Sequence, residues 1–254
     1  MVRRTSQSWQ PYLAAFHSQH PGITEDILAK ASSPHGLSPY EWVTAPIVPG
    51  ARTLDLACGS GPCLRLRPGE PWVGVDRSGE ELIRAHSQGI SGILMADAAA
   101  LPFKDATFDA VVCSMAIMLL QPLRRALGEV RRVLRPGGYF VLTMPGRRPL
   151  HLGDVVRYAG LVRQMGRWRL SYPNARVMSR HTNLIESSGF RVVEDVRQRF
   201  QFAIDTRDDG ALFARSLYMP QIDEALLRRG ELYAAEWVGR VIGIPLRRMT
   251  LERE

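Results

Sequence analysis

Three acidic residues, each at or near the end of a short apolar run, are the residues of this chain best suited to bind a ligand. They are Asp55, Asp76 and Asp97, and a tight turn containing Gly59 and Gly61 follows the first of them. Glycines let the backbone approach a ligand without a Cβ clash. A carboxylate at the end of the next strand can accept hydrogen bonds from two ribose hydroxyls. The spacing therefore predicts a nucleoside-type ligand at the carboxyl edge of a parallel sheet.

The glycine turn also separates ligands with phosphates from ligands without them. A dinucleotide fingerprint has the form Gly-x-Gly-x-x-Gly, but the third position here is Leu64. Pro62 removes a backbone donor from the helix start where a pyrophosphate would bind. The turn favours a phosphate-free ligand and disfavours a nicotinamide oxidoreductase.

These residues need a sheet to bring them together, and apolar runs alternate with helical patterns from about residue 52 onward. Strands are predicted at 52–57, 72–76, 92–95, 108–113, 138–144, 190–195 (with an extended pattern as far as 204) and 243–251. Helices are predicted at 78–88, 123–134, 179–188, 206–218 and 221–241. This alternation is typical of βαβ units and a parallel sheet.

Two segments do not follow that pattern. Residues 1–50 are predicted to form an N-terminal helical cap, with helices at 8–20 and from Thr24, one turn near 40–44, and otherwise a loop from 32 to 49. Residues 145–180 carry eight arginines against the single acid Asp154. We interpret them as a lid inserted after the fifth strand, within a main domain that spans residues 51–254.

Five stretches together resemble the motifs of class I S-adenosylmethionine-dependent methyltransferases. They are Leu54–Gly61, Val73–Asp76, Ala96–Phe103, Phe108–Val112 and Leu134–Tyr139. The resemblance covers about residues 51–145 and is greatest to the methyltransferase type 11 group, typified by enzymes of ubiquinone and menaquinone biosynthesis. It implies an α/β, Rossmann-like, seven-stranded, mostly parallel sheet flanked by helices. It also implies S-adenosyl-L-methionine as cofactor, with S-adenosyl-L-homocysteine as product.

The resemblance assigns cofactor contacts position by position. The loop after the first strand would hold the methionine part, the acid of the second motif the ribose, and the third motif the adenine. The residues just past the fourth strand would lie near the transferable methyl group. The implied cofactor-binding residues are Asp55, Ala57, Cys58, Gly59, Ser60, Gly61, Asp76, Arg77, Asp97, Ala98, Ser114 and Met115. The sequence departs from the family at Ala57, where glycine is usual.

No catalytic triad is visible, and a base is needed only if the methyl acceptor is not already nucleophilic. His151 follows the fifth strand and is the best-placed candidate among six histidines, although most of these are expected to be structural. Tyr12 and Tyr40 are candidates to cover the cofactor from the cap. Cys113 ends a predicted strand and is expected to be a buried thiol rather than a nucleophile.

The composition of the chain limits where the protein could be located and which partners it could bind. The 254 residues contain no apolar run of membrane-spanning length, and no secretory signal is visible. Three cysteines without zinc spacing predict reduced thiols, no metal site and a cytoplasmic location. The net charge is +8, and all but two of the 33 basic residues are arginine. That skew is more typical of a GC-rich coding sequence than of a nucleic-acid-binding surface.

The favoured function is methyl transfer to a small organic acceptor, because the apolar stretch after Cys113 lacks the Asn/Asp-Pro-Pro-aromatic signature of amino methyltransferases. One alternative is a tRNA or rRNA methyltransferase that uses the arginine-rich 147–180 segment. Another is a non-catalytic protein that binds S-adenosylmethionine. The acceptor atom (oxygen, nitrogen, carbon or sulfur) and the oligomeric state stay open.

Overall fold

A mixed sheet forms the centre of the protein in a computed structural model that describes residues 9–175, 177 and 183–254. Its strands are β1 (Ala31–Ser32), β2 (Thr53–Leu56), β3 (Trp72–Asp76), β4 (Ile93–Met95), β5 (Phe108–Ser114), β6 (Leu134–Pro145), β7 (Phe190–Ile204) and β8 (Arg240–Arg253). They lie in the order β1-β7-β8-β6-β5-β2-β3-β4. The order reverses direction beside β2, which is where open α/β sheets bind ligands.

The strands that carry the motifs are parallel to one another. β2 pairs with β3 and with β5, β3 pairs with β4, and β5 pairs with β6, all in parallel. The carboxyl ends of these five strands therefore open on the same edge of the sheet. β8 lies between β6 and β7 and pairs antiparallel with both, so these strands extend the sheet beyond β6.

The expectation of seven strands was wrong by one. The described part of the chain has an eighth, β1, whose Ala31 and Ser32 pair antiparallel with Phe202 and Gln201 of β7. A strand of two residues is too short to show an alternating pattern, and residue 32 falls at the start of the predicted loop at 32–49. The eighth strand lies at the sheet edge, so the class of the fold is as predicted.

Helices flank the sheet. They are α1 (Trp9–Gln19), α2 (Ile23–Leu28), α3 (Pro39–Thr44), α4 (Pro62–Arg65), α5 (Gly79–Ser87), α6 (Leu123–Val133), α7 (Leu152–Gln164), α8 (Asn183–Glu186), α9 (Arg207–Arg215) and α10 (Glu224–Ala235). Most agree with the predicted segments, but the helix predicted at 221–241 is shorter. Gly239, with φ of 78°, ends that stretch, and β8 begins one residue later. The start of the helix predicted at 179–188 lies outside the described residues.

Two apolar cores cover the two faces of the sheet. Successive residues of β5 alternate between them: Val112 packs in one core, whereas Val111 and Cys113 pack in the other. Ile27 of α2 and Val43 of α3 belong to the first core, so part of the predicted cap packs directly against the sheet. The division into a cap of residues 1–50 and a main domain stays a prediction. Among the described residues, no helix is long and apolar enough to cross a membrane.

Candidate functional site

A cavity of about 540 Å³ opens at the carboxyl ends of β2, β3, β4 and β5. All the predicted cofactor-binding residues except Gly61 line it: Asp55, Ala57, Cys58, Gly59, Ser60, Asp76, Arg77, Asp97, Ala98, Ser114 and Met115. The structure thus brings together residues that span sixty positions of the sequence. Their assignment to a cofactor stays a prediction.

Asp76, the last residue of β3, fastens the glycine turn and starts the next helix. Its Oδ2 accepts a hydrogen bond from the backbone N–H of Gly59 at 2.8 Å, and its Oδ1 accepts one from Ser78 N–H at 2.9 Å. Each carboxylate oxygen can accept more than one hydrogen bond, so lone pairs stay free for a ligand in the cavity. Ser78 in turn caps α5 by accepting from Glu81 N–H at 3.3 Å.

Asp55 carries the strongest sign that a ligand belongs here. The residue is 1% exposed, and its Oδ2 is buried without a hydrogen-bond partner within the described chain. Burial, with a smaller contribution from the nearby charge of Asp76, raises the pKa of Asp55 from 3.8 to about 8. An unpaired buried carboxylate is costly unless a donor completes it. The ammonium group of S-adenosylmethionine is such a donor, so the residues present fit this cofactor.

The turn after β2 needs residues in the left-handed region. Ala57 has φ of 56°, Gly59 has 52° and Gly61 has 81°. Only the alanine pays the steric cost of a Cβ in that conformation. A Cβ at Gly61 would lie 3.2 Å from the buried side chain of Ile90, so this position leaves little room for a larger residue.

Two further stretches close the predicted adenine and methyl ends. Oδ1 of Asp97 accepts a hydrogen bond from the backbone N–H of Ala99 at 2.8 Å, which rigidifies the loop after β4. Met115, just past β5, has φ of 57° and donates its N–H to the carbonyl of Thr143 at 3.0 Å. This conformation turns the chain at the end of the strand, where Ser114 and Met115 line the cavity.

Of the tyrosine and histidine candidates, only some lie at the cavity. Tyr40, which is 6% exposed, lines the cavity. Tyr12 does not; its hydroxyl oxygen accepts a hydrogen bond from the backbone N–H of Met219 at 2.7 Å. His151 is exposed and does not line the cavity; it stands at the start of α7, where its backbone N–H donates to Asp154 Oδ2 at 3.0 Å. His181 lies outside the described residues.

The cap contributes groups that the sequence patterns did not identify. The hydroxyl of Ser60 in the glycine turn donates to the Glu25 carboxylate, which also forms an ion pair with Arg65. His17 of α1 lies 2.9 Å from Glu81 through Nδ1 and Oε1. All of these residues except Arg65 line the cavity. The helical spacing of apolar residues predicted which face of α1 is apolar. No local signal indicated which polar residues beside that face would reach the sheet.

A second cavity, of about 220 Å³, adjoins the first. We call it the apolar chamber, and it shares three lining residues with the larger cavity: Thr24, Met115 and Tyr218. Its remaining lining is Ile27, Leu28, Met118, Pro145, Gly146, Leu150, Tyr158, Leu170, Tyr172, Phe213, Ser216, Leu217, Ile244, Pro245 and Leu246. No charged side chain is among these residues.

Comparison with known proteins agrees with the geometry. Residues 54–142 match the family model described as methyltransferase domain. A demethylmenaquinone methyltransferase of Thermus thermophilus is 41% identical over 100 residues, covering 36% of this chain and 46% of the relative. A malonyl-[acyl-carrier protein] O-methyltransferase of Erwinia pyrifoliae is 41% identical over 90 residues, or 34% of each chain. The chain spans about half the length, or less, of such curated relatives.

Solved structures show the same fold at low identity. A putative methyltransferase from Bacillus halodurans superposes with a TM-score of 0.52 at 20% identity, covering 84% of this chain and 98% of that one. A second solved structure superposes with a TM-score of 0.59 at 16% identity, covering 96% of this chain and 92% of that one. It is described as conversion of a disulfide bond into a thioacetal group during echinomycin biosynthesis. Residues 54–142 therefore form a methyltransferase domain similar to that of the class I S-adenosylmethionine-dependent methyltransferases of the ubiquinone- and menaquinone-biosynthesis-like group, which implies S-adenosyl-L-methionine as its cofactor.

Proposed function

We propose that the protein transfers a methyl group from S-adenosyl-L-methionine to a small organic acceptor held in the apolar chamber. One observation carries the proposal. The larger cavity, which we call the cofactor cavity, and the apolar chamber are both lined by Thr24, Met115 and Tyr218. The cofactor, when bound, supplies a methyl group already activated by the positive charge of its sulfur. The protein then has to align donor and acceptor and exclude water.

The chain's own residues supply that alignment. Asp55 provides a buried acceptor for a cationic group, Asp76 offers lone pairs to hydroxyls, and the loop around Asp97 lines the remaining end. The chamber is large enough for a compact ring system and much smaller than a nucleic-acid groove or an acyl-carrier protein. Its lack of charged lining disfavours a charged acceptor, since burying an unpaired charge is costly.

An experiment can separate small acceptors from polymers. We would incubate the protein with methyl-labelled S-adenosylmethionine and either the dialysable fraction of a bacterial extract or its purified tRNA and rRNA. Labelled product in the dialysable fraction supports the proposal. Labelling confined to RNA contradicts it. Binding of S-adenosylhomocysteine without turnover in either fraction would favour a non-catalytic binder.

The chamber itself can be tested with a plug. Leu170→Trp places a larger side chain in the chamber lining and should abolish product formation while leaving S-adenosylhomocysteine affinity unchanged. Leu152→Trp is the matched control, because Leu152 is 81% exposed on α7 and lines neither cavity. Equal activity of the two variants would argue against the chamber as the acceptor site.

RNA methylation is kept as a second candidate because arginines of the predicted lid are exposed. They are Arg147, Arg148, Arg163, Arg167 and Arg169. Filter binding of tRNA at two salt concentrations tests it: phosphate contacts predict affinity that falls steeply with salt. Binding that is lost when Arg163 and Arg169 are both replaced by Gln would support this candidate.

A further inference from the structure

A chain of hydrogen-bonding groups runs from the cofactor cavity to its boundary with the apolar chamber. Glu81 on α5 contacts His17 on α1, with 2.9 Å between Oε1 and Nδ1. The other ring nitrogen of His17, Nε2, lies 3.3 Å from the hydroxyl of Tyr218. Tyr218 lines both cavities. We call these three residues the relay.

The carboxylate sets the direction in which the relay can work. Nδ1 of His17 faces a carboxylate, which accepts but does not donate, so Nδ1 carries the proton. Nε2 then presents a lone pair to Tyr218, and the tyrosine hydroxyl donates to it. This is the order of groups found in acid-base triads, with a base oriented by an acid and facing a hydroxyl.

The acid of the relay is itself fixed. Glu81 is 4% exposed, and its Oε2 accepts a hydrogen bond from the backbone N–H of Gly22 at 2.9 Å. Tyr218 is 8% exposed and packs on Phe16 with 4.9 Å between ring centroids. His17 is more open, with 23% of its side chain exposed. The relay therefore has a rigid acid, a buried hydroxyl and an imidazole that can exchange a proton with water.

Charged side chains of β3, of α5 and of the loop between them lie around the imidazole of His17. Glu81 contacts His17 directly, and the carboxylate of Asp76 on β3 lies close enough to interact with it electrostatically. Glu80, the neighbour of Glu81 on α5, lines the same cavity. Arg77 also lines it and opposes them. On α1 itself, His20 is the other titratable group near Phe16.

We propose that the acceptor is an uncharged hydroxyl compound in the apolar chamber, and that its proton leaves through Tyr218 to His17. This inference rests on the proposed function and adds the substrate class and the proton acceptor. Tyr218 contacts the acceptor and is the catalytic residue. His17 and Glu81 act through it.

The proton and electron balance of this step is complete. The acceptor hydroxyl gives its proton to Tyr218 Oη as Tyr218 gives its own to His17 Nε2. A lone pair of the acceptor oxygen forms the new bond to carbon, and the electrons of the broken carbon–sulfur bond go to sulfur. The positive charge thus moves from the sulfonium to His17, which releases the proton to solvent. An oxygen acceptor needs such a base, whereas a thiolate does not.

The test uses 4-nitrophenol, which fits a compact chamber, ionises near neutral pH and absorbs visible light only as its anion. The probe is bound to the wild-type protein with saturating S-adenosylhomocysteine at a pH just below the pKa of the free probe. The ratio of bound anion to bound neutral probe reports proton transfer to the relay without requiring turnover. Tyr218→Phe, His17→Gln and Glu81→Gln are measured in parallel.

Each variant should lower this ratio by about tenfold, equivalent to one unit in the pKa of the probe. Tyr139→Phe is the matched control: it removes the same kind of hydroxyl, but its ring is 42% exposed on β6 and lines neither cavity. It should keep the wild-type ratio. Because glutamine at position 17 can hydrogen bond but not take up a proton, a purely structural role of His17 would leave the ratio unchanged.

Equal ratios in the wild type and the three variants overturn the relay, as does failure of the wild type to bind the probe. An equal drop in Tyr139→Phe also overturns it. Calorimetry with S-adenosylhomocysteine on the same samples distinguishes a failure of the proposed function from a failure of the relay. No binding by the wild type refutes the proposed function, whereas normal binding with unchanged ratios refutes the relay alone.

Discussion

Gly59 and Asp76 are joined by a hydrogen bond of 2.8 Å from the glycine N–H to the aspartate Oδ2. The residue predicted to hold the ribose of the cofactor therefore also holds the turn predicted to hold its methionine part. Loss of Asp76 should affect both places at once, because one carboxylate links the ends of two neighbouring strands.

We expect Asp76→Ala to weaken S-adenosylhomocysteine binding by about 1–3 kcal/mol, the range for hydrogen bonds to a charged group. Calorimetry measures this directly. Asp109→Ala is the matched control, because Asp109 accepts the backbone N–H of Arg52 at 2.8 Å near the opposite edge of the sheet. It should lower stability and leave the affinity unchanged. Unchanged affinity in Asp76→Ala would refute the ribose assignment.

Cofactor binding should release a proton from Asp55. The pKa of this carboxyl is about 8 in the folded protein, because burial disfavours its charge, so it is mostly protonated at pH 6. A cationic ligand group favours the ionised form, and affinity should rise as the pH increases from 6 toward 8. Calorimetry in two buffers with different ionisation enthalpies gives the number of protons released. In Asp55→Asn this release should vanish, and a release that persists would show that another group titrates.

The same carboxyl should make stability depend on pH. Between its ordinary pKa near 4 and the folded value of about 8, the folded protein binds a proton that the unfolded chain has lost. The contribution of Asp55 is therefore present at low pH and is lost as the pH rises to 8. Denaturant melts of Asp55→Asn and the wild type should show the variant gaining relative stability over this interval. A constant difference would contradict the raised pKa.

Ala57→Gly should stabilise the protein by up to about 1 kcal/mol. Alanine at φ of 56° pays a steric cost that glycine does not, and the greater freedom of glycine in the unfolded chain offsets part of the gain. Denaturant unfolding measures the difference. Ala159→Gly, at an exposed interior position of α7, is the control and should destabilise by about 1 kcal/mol. Destabilisation in both variants would show that the alanine conformation is not strained.

Tyr12→Phe should reduce stability by about 1–3 kcal/mol without changing S-adenosylhomocysteine affinity. The Met219 N–H, which donates to the Tyr12 hydroxyl oxygen at 2.7 Å, would lose its partner. Thermal melts and calorimetry on the same sample provide both numbers. Tyr139→Phe is the control, since this ring is 42% exposed on β6. A loss of affinity in Tyr12→Phe would restore the prediction that Tyr12 covers the cofactor.

The sequence by itself determined the fold class and identified eleven residues that line the larger cavity. Asp55 and Asp76 could be placed because strand period and glycine turns are local signals. Parallel strands also bring their carboxyl ends to one edge, whatever else the chain does. The same logic correctly separated a phosphate-free ligand from a dinucleotide through Leu64. Among the strands in the described part of the chain, only the two-residue β1 was missed, because it is defined by its partner in β7 and not by its own pattern.

The tertiary structure alone decided which polar side chains of the cap and the C-terminal half reach the cavity. His17 contacts Glu81 across 64 residues of sequence, and Tyr218 reaches His17 across 201. His151, which sequence position favoured, instead begins a helix at the surface. Local patterns specify where an element starts and which face is apolar. The meeting of polar groups from different elements depends on how those elements pack, and that depends on the whole core.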